Sequence, residues 1–430
     1  MGCGNSRPSP SASALQRLHA AAILDEQWTS SGGTMPSTAA EAKRATRLDL
    51  SGCTLTPMHG ATLSAALPLL GSLEVLNVSG CGLREIGVSM LAAGLEKNAP
   101  KKLASLWVAN SFAGAETAAA LSAALSVEGL KHLTSLNLSN NSLGGQGALA
   151  LAHALEKRRP PLAELLLADC QLGFSGGEAI GAAAAKLTTL RRLDLFCSQV
   201  GDKGAVAVGN GVMRAGIVCI SLQACAVTYD GAIALAAGWR ESDADERIET
   251  LDLSSNAIGM GYDHGCQALS EALTARPPRA LTLLNLAENS LADGDPTGLL
   301  RSLGAATSLT WLDLSSNRLR SEAGEPIAAA LLSLARLVTL GLNDNPKLGD
   351  EGMLPILRAA STHLPQLAAL HAGNVGLELA TADARAAALE VLRRAPPAVP
   401  ITRLELRGNR GVRGRPRPVL RTITASPRRA

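Results

Sequence analysis

LTSLNLSNNSL, residues 133–143, is the stretch on which the fold turns. Its apolar residues fall at positions 1, 4, 6 and 11 of the pattern L-x-x-L-x-L-x-x-(N/C)-x-L. Leu136 and Leu138 alternate with the polar Asn137, which is the period-2 signature of a short strand with one face buried. Leu136 and Leu138 should therefore point inward and Asn137 outward. Asn141, at position 9, stands where the chain turns off the strand. A buried amide there can serve the backbone groups that the bend leaves without partners.

The same phrase recurs along the chain. IETLDLSSNAI begins at Ile248, LTLLNLAENSL at Leu281 and LTWLDLSSNRL at Leu309. Thirteen copies are found, starting at Ala45, Leu73, Leu103, Leu133, Leu162, Leu190, Ile217, Ile248, Leu281, Leu309, Leu337, Leu367 and Ile401, with a mean spacing of about 30 residues. Position 9 is Asn at 141, 256, 289, 317, 345 and 409, and Cys at 53, 81, 170 and 225. Val375 departs from the column, and the copies at Leu337 and Ile401 carry an extra residue after Asn345 and Asn409. Behind each turn a Gly is expected to start a helix with apolar residues four apart: Leu91 and Leu95, Leu151 and Leu155, Val208 and Val212, Leu235 and Trp239, Leu269 and Leu273. The intervening positions are largely Ala, which has the highest helix propensity and a small volume. Strand and helix in strict alternation predict an α/β solenoid with a parallel inner sheet and helices outside.

On these thirteen phrases the chain resembles leucine-rich repeat proteins of the ribonuclease-inhibitor type. Their units of roughly 28 residues form a horseshoe with a strand-lined concave face. The resemblance extends over about 85% of the chain. It is also similar to Ran GTPase-activating proteins and to the repeat regions of NOD-like receptors. What the resemblance implies is a non-enzymatic scaffold that binds a protein on its concave face. A GTPase-activating protein or regulator of a small GTPase is one alternative, and an innate-immune type sensor region is another. The GTPase relatives carry an acidic C-terminal tail where this chain has a basic one.

Composition agrees with many small layers. Apolar residues make up 47% of the 430 and aromatics only 2%, so the core must be built of Leu, Ile, Val and Ala. The formal net charge is +3, but residues 401–430 contain nine Arg and one Glu. The basic character therefore belongs to the tail. No aromatics interleave with these arginines, which argues against nucleic acid. Eight Cys without a C-x-x-C pair point to free thiols in a reducing cytoplasm. The expected organisation is an acylated, disordered N-terminus over 1–13, a capping helix over 14–28, a linker over 29–44, thirteen repeats over 45–412 and a disordered Arg-rich tail over 413–430.

MGCGNS at the start fits the myristoylation pattern M-G-x-x-x-[ST], with Gly2 as acceptor and Cys3 beside it for a second acyl chain. One chain holds a protein to a membrane only marginally, whereas two signals hold it stably. Peripheral attachment to a cytosolic membrane face is the expectation, with the Arg-rich tail as a further contact to anionic lipid. No metal site or cofactor is expected. Cysteines stacked in one column and separated by whole repeats cannot converge tetrahedrally, the neighbours Cys53 and Cys81 excepted, the seven His are dispersed, and the Gly-rich stretches lack the G-K-[ST] of a phosphate loop. No catalytic constellation is found.

Position 5 of each phrase should line the concave sheet: Asp49, Asn77, Trp107, Asn137, Leu166, Asp194, Ser221, Asp252, Asn285, Asp313, Gly341, His371 and Glu405. Asp and Asn are usual there, and the departures are informative. Trp107 and Leu166 at position 5, Phe196 at position 7 and Trp311 at position 3 are large apolar groups on a surface that should face water. Such groups anchor protein partners. With Asp194 and Asp252 they form the candidate partner-binding set.

Overall fold

The protein is described by a computed structural model that covers residues 9–23, 35–126, 128–213, 216–241, 247–392, 403–406 and 408–409. It divides into two compact units, residues 1–212 and 213–430. Each is an α/β leucine-rich repeat solenoid in which a three-residue strand is followed by a turn and a helix.

In the first unit the strands are β1 (Arg47–Asp49), β2 (Val75–Asn77), β3 (Ser105–Trp107), β4 (Ser135–Asn137), β5 (Glu164–Leu166) and β6 (Arg192–Asp194). Each pairs in parallel with the next, so that Asp49, Asn77, Trp107, Asn137, Leu166 and Asp194 stand side by side. The central leucine of every strand and the apolar residue two positions later are buried, as Leu136 and Leu138 are in β4. Helices α1 (Pro10–Ile23), α2 (Ala39–Arg44), α3 (Met58–Ala66), α4 (Arg84–Asn98), α5 (Ala115–Leu125), α6 (Gly144–Arg158), α7 (Gly173–Ala184) and α8 (Gly201–Ala207) accompany them.

The flank departs from expectation in two places. The first helix begins at Pro10 instead of residue 14, because the Ser9 hydroxyl accepts the Ala12 N–H and supplies an N-cap. It buries Ala14, Leu15, Leu18 and Ala22 and packs on α3. Residues 24–28 of the expected helix lie outside the described residues. Within the stretch 29–44 expected to be a linker, Ala39–Arg44 is helical. Thr38 and Glu41 form a capping box there, Glu41 N–H donating to Thr38 Oγ1 and Glu41 Oε2 accepting from the Thr38 N–H. That reciprocal pair outweighs the turn-rich composition just before it.

Helix starts also differ from a uniform Gly rule. Gly144, Gly173, Gly201 and Gly349 do open helices, with φ between +59° and +65°, but Arg84 opens α4 at φ +53° and other helices begin at Met58, Tyr229 and His264. Val208 and Val212 are buried as expected, but in a five-residue π turn instead of an α-helix. Gly209 and Gly211 weaken the α ladder there, and Gly211 lies where a Cβ would strike the Ala185 Cβ.

The second unit holds β7 (Cys219–Ser221), β8 (Thr250–Asp252), β9 (Leu283–Asn285), β10 (Trp311–Asp313), β11 (Thr339–Gly341), β12 (Ala369–His371) and β13 (Arg403–Glu405), paired in parallel in that order. Its helices are α9 (Tyr229–Arg240), α10 (His264–Ala275), α11 (Thr297–Ser302), α12 (Gly324–Leu331), α13 (Gly349–His363) and α14 (Ala382–Leu392). Trp239 is buried on α9, as its spacing from Leu235 predicts.

Candidate functional site

The exposed face of the strands is set by the turn that follows each of them. At position 5 an Asp or Asn accepts, through Oδ1, the backbone N–H two residues ahead. Asp49 does so from Ser51, Asn77 from Ser79, Asn137 from Ser139, Asp194 from Phe196, Asp252 from Ser254, Asn285 from Ala287 and Asp313 from Ser315. These Asx turns bend the chain off the strand. They account for the acidic and amide character of the column by local geometry. Asp194 and Asp252 are therefore turn-forming residues first, each with one carboxylate oxygen engaged by its own backbone.

Lateral bonds tie the face of the first unit together. Asn77 Nδ2 donates to Asp49 Oδ1 at 2.9 Å, and Arg47 pairs with Asp49 at 2.5 Å. Partial burial pushes the Asp49 pKa up, but the Ser51 hydroxyl and amide, Arg47 and Asn77 together outweigh it and hold the carboxyl below its ordinary value. Arg47 also lies over the Trp107 ring, 5.7 Å from its centroid. Trp107 Nε1 donates to Ser135 Oγ at 3.0 Å, and Ser135 Oγ donates to Glu164 Oε2 at 2.9 Å. The indole is half-buried and braced on both sides.

The register places Trp107 and Leu166 two strands apart, separated by Asn137, with Asp194 next to Leu166. At the usual interstrand spacing Trp107 and Leu166 are about 10 Å apart. Phe196, two residues beyond Asp194, is 37% exposed. Three of the four apolar departures thus share one surface of one unit. Trp311 and Asp252 belong to the second unit. Trp311 is half-buried and sits in register with Leu283 on one side and Thr339 on the other.

Several contributors were not singled out from sequence. Leu283 occupies position 3 like Trp311, so the same departure from a polar position would have found it. Phe112, on the turn behind β3, and Phe174, in the first turn of α7 behind β5, are 72% and 60% exposed. With Phe196, every phenylalanine of the chain is exposed in the first unit. Phe112 holds φ +53°, a conformation that a bulky residue adopts only at a cost.

Cys53, Cys81, Cys170 and Cys225 are buried in the position-9 column, and Cys81 Sγ donates to the Val78 carbonyl at 2.9 Å. Burial pushes the Cys81 and Cys170 thiols up to about 12. Among the described residues no three His, Cys, Asp or Glu side chains are grouped to hold a metal ion, and no helix is long and apolar enough to cross a membrane. Gly2 and Cys3 lie outside the described residues, as does the tail 413–430.

The family described as Leucine Rich repeat matches residues 129–152, 186–209 and 305–328. The chain is 44% identical to Tonsoku-like protein of Bos taurus over 98 residues, 21% of this chain and 7% of that one. It is 29% identical over 191 residues to NACHT, LRR and PYD domains-containing protein 13 of Homo sapiens, covering 44% of this chain and 18% of the relative. Over 156 residues it is 29% identical to ribonuclease inhibitor of Sus scrofa, 36% of this chain and 33% of that protein. It spans a third or less of the length of each of these curated relatives. Among solved structures, an internalin (inlF) from Listeria monocytogenes covers 86% of this chain and 94% of its own at a TM-score of 0.51 and 18% identity. A chain of the Rad7 and Elc1 complex in yeast covers 90% and 91% at a TM-score of 0.51 and 16% identity. Both share the fold. The repeat geometry and the matched repeats converge on a leucine-rich repeat solenoid, and in sequence the chain is similar to ribonuclease inhibitor.

Proposed function

We propose that the chain is a protein-binding scaffold whose principal contact surface is the exposed strand face of the first unit, centred on Trp107, Leu166 and Phe196. The observation that supports this most is the bracing of Trp107. An indole clamped between Arg47 and Ser135 loses little further freedom when a partner covers it, so its apolar area is available for binding at a small entropic cost. Leu166 and Phe196 extend the apolar spot, and the paired Arg47–Asp49 and Arg192–Asp194 form a polar rim around it. Trp311 and Leu283 offer a second, smaller spot on the other unit.

The N-terminal MGCGNS adds a location to this reading: acyl chains on Gly2 and Cys3 would hold the scaffold at the cytosolic face of a membrane. Proximity labelling compared between the parent and Gly2→Ala proteins tests the anchor. Partners captured in that experiment are then purified and titrated against the parent and against Trp107→Ala and Phe196→Ala. Truncation of an anchoring aromatic should weaken binding by at least about 30-fold. Equal affinity of all three proteins would remove this face from consideration.

A further inference from the structure

The two edges of the first unit carry opposite charge. Residues 96–104, 126–134, 156–163 and 185–191 lead from the last turns of α4 to α7 to the strands that follow, and all lie along one edge because every repeat runs in the same direction. They contain nine Lys and Arg against three Glu. The opposite edge, residues 108–118, 138–147, 167–176 and 195–204, contains Lys203 against Glu116, Asp169 and Asp202.

Favourable interaction of cations with helix C-termini accounts for Lys97, Lys157 and Arg158, which lie in last helical turns. Lys101, Lys102, Lys131, Arg159, Lys186 and Arg191 lie beyond the helices and need another reason. Some charge is neutralised internally. Glu128 accepts from Lys131 at 2.7 Å and from Arg158 at 3.0 Å, and Glu156 pairs with Lys186 at 2.8 Å. The Arg158–Glu128 and Lys186–Glu156 pairs link neighbouring repeats, and together with Lys131 they use up two of the three acids. Among the described residues Lys97, Lys101, Lys102 and Lys157 have no carboxylate within 4.0 Å. Lys97, Lys101, Lys131 and His132 also line a cleft of about 760 Å³ together with Pro68 and Pro100.

We infer that this edge docks on an anionic phospholipid surface. Its chemistry fits headgroups better than the other polyanions a basic surface takes. The four stretches contain no Phe, Trp or Tyr, so there is no platform for stacked bases. Among the described residues none of the exposed large apolar side chains lies in them either, whereas a protein interface needs an apolar core. A layer of charged headgroups needs neither. Four successive connections spread the charge over a distance on the order of 30 Å at ordinary helix spacing, and each Lys or Arg near an anionic leaflet adds to the attraction. Standing on this edge leaves the strand face that carries Trp107 free for a partner. The inference extends the membrane reading proposed above and supplies it with a polybasic second signal.

The test uses the full chain as the Gly2→Ala variant, so that no acyl chain on Gly2 contributes. Co-sedimentation is measured with vesicles of phosphatidylcholine alone and with about 30% phosphatidylserine. Binding is expected only with phosphatidylserine, weakening as salt is raised. Replacing Lys97, Lys101, Lys102 and Lys157 together by Gln should weaken it at least about 30-fold, with only a small drop in the thermal unfolding midpoint, because all four are exposed and only Lys97 and Lys157 lose a helix-end interaction. A second variant replaces Arg413, Arg415, Arg417, Arg421, Arg428 and Arg429 by Gln. Three outcomes overturn the inference: equal binding by the lysine variant, loss of binding in the tail variant alone, or retention of single-stranded RNA without retention of vesicles. Because the protein tested is not acylated at Gly2, these outcomes are independent of whether Gly2 anchors the chain in cells.

Discussion

Asn317 shows what a single residue does in this fold. Its Nδ2 donates to the carbonyls of Leu286 and Leu314, at 2.8 and 3.0 Å, while its Oδ1 accepts the N–H groups of Asn289 and Leu291. One amide thus closes its own turn and satisfies two backbone donors of the preceding repeat. Asn141, Asn256, Asn345 and Asn409 repeat the arrangement. Cysteine at the same position supplies only a donor, as Cys170 Sγ does to Leu138. Backbone donors beside it turn to other groups: the Cys170 N–H donates to Ser198 Oγ. Asn317 is fully buried, so Asn317→Ala leaves several polar groups without partners at about 1–3 kcal/mol each. The variant is expected to lose about 3 kcal/mol or more in urea unfolding. A loss under about 1 kcal/mol would mean that water replaces the amide and that the ladder is not a main source of stability.

At the scale of the elements, the helices approach one another closely because many contact positions lack a side chain. Gly177 on α7 faces Val200, whose Cβ would lie 2.4 Å from an added methyl. Intrinsic propensity favours Ala over Gly by about 1 kcal/mol in a helix. Packing opposes it here, since a contact that short forces the neighbouring turn to move at a typical cost of 1–3 kcal/mol. Gly177→Ala is therefore expected to lower stability although it improves helix propensity. Gly144→Ala is a useful contrast. Nothing lies within 4 Å of its Cβ position, but its φ of +64° strains any other residue. Equal stability of Gly177→Ala and the parent would show that the α7–α8 spacing relaxes freely.

For the whole molecule, buried thiols set an alkaline limit on stability. Burial pushes Cys81, Cys170 and Cys266 up to about 12 from an ordinary value of 9.0. The folded protein keeps these protons where the unfolded chain releases them. The stabilising contribution is therefore complete below pH 9 and declines as pH rises toward 12. Urea midpoints should be level from neutral pH to about 9 and fall steeply above it. The fall should shrink in a Cys81→Ala, Cys170→Ala, Cys266→Ala triple variant, measured against its own neutral-pH value. An alkaline fall of the same steepness in that variant would assign the effect to other groups.

The thirteen phrases by themselves determined the repeat number, the strand centres, the buried column at position 9 and the alternation of strand and helix. These depend on local patterns of one repeat that recur in phase, and each pattern has one physical solution. A position-8 column was legible but easy to overlook. Gly, Asn and Asp occupy it in eight of thirteen repeats, and all thirteen residues adopt positive φ, including Glu288 and Ala224. Tertiary structure alone decided what the exposed positions mean. It showed that Trp107 is braced by residues 60 positions earlier and 28 later, and that scattered lysines of four repeats share one edge. Those facts depend on which residues the stacking brings side by side across 28 or more positions, and no local pattern in a single repeat encodes that.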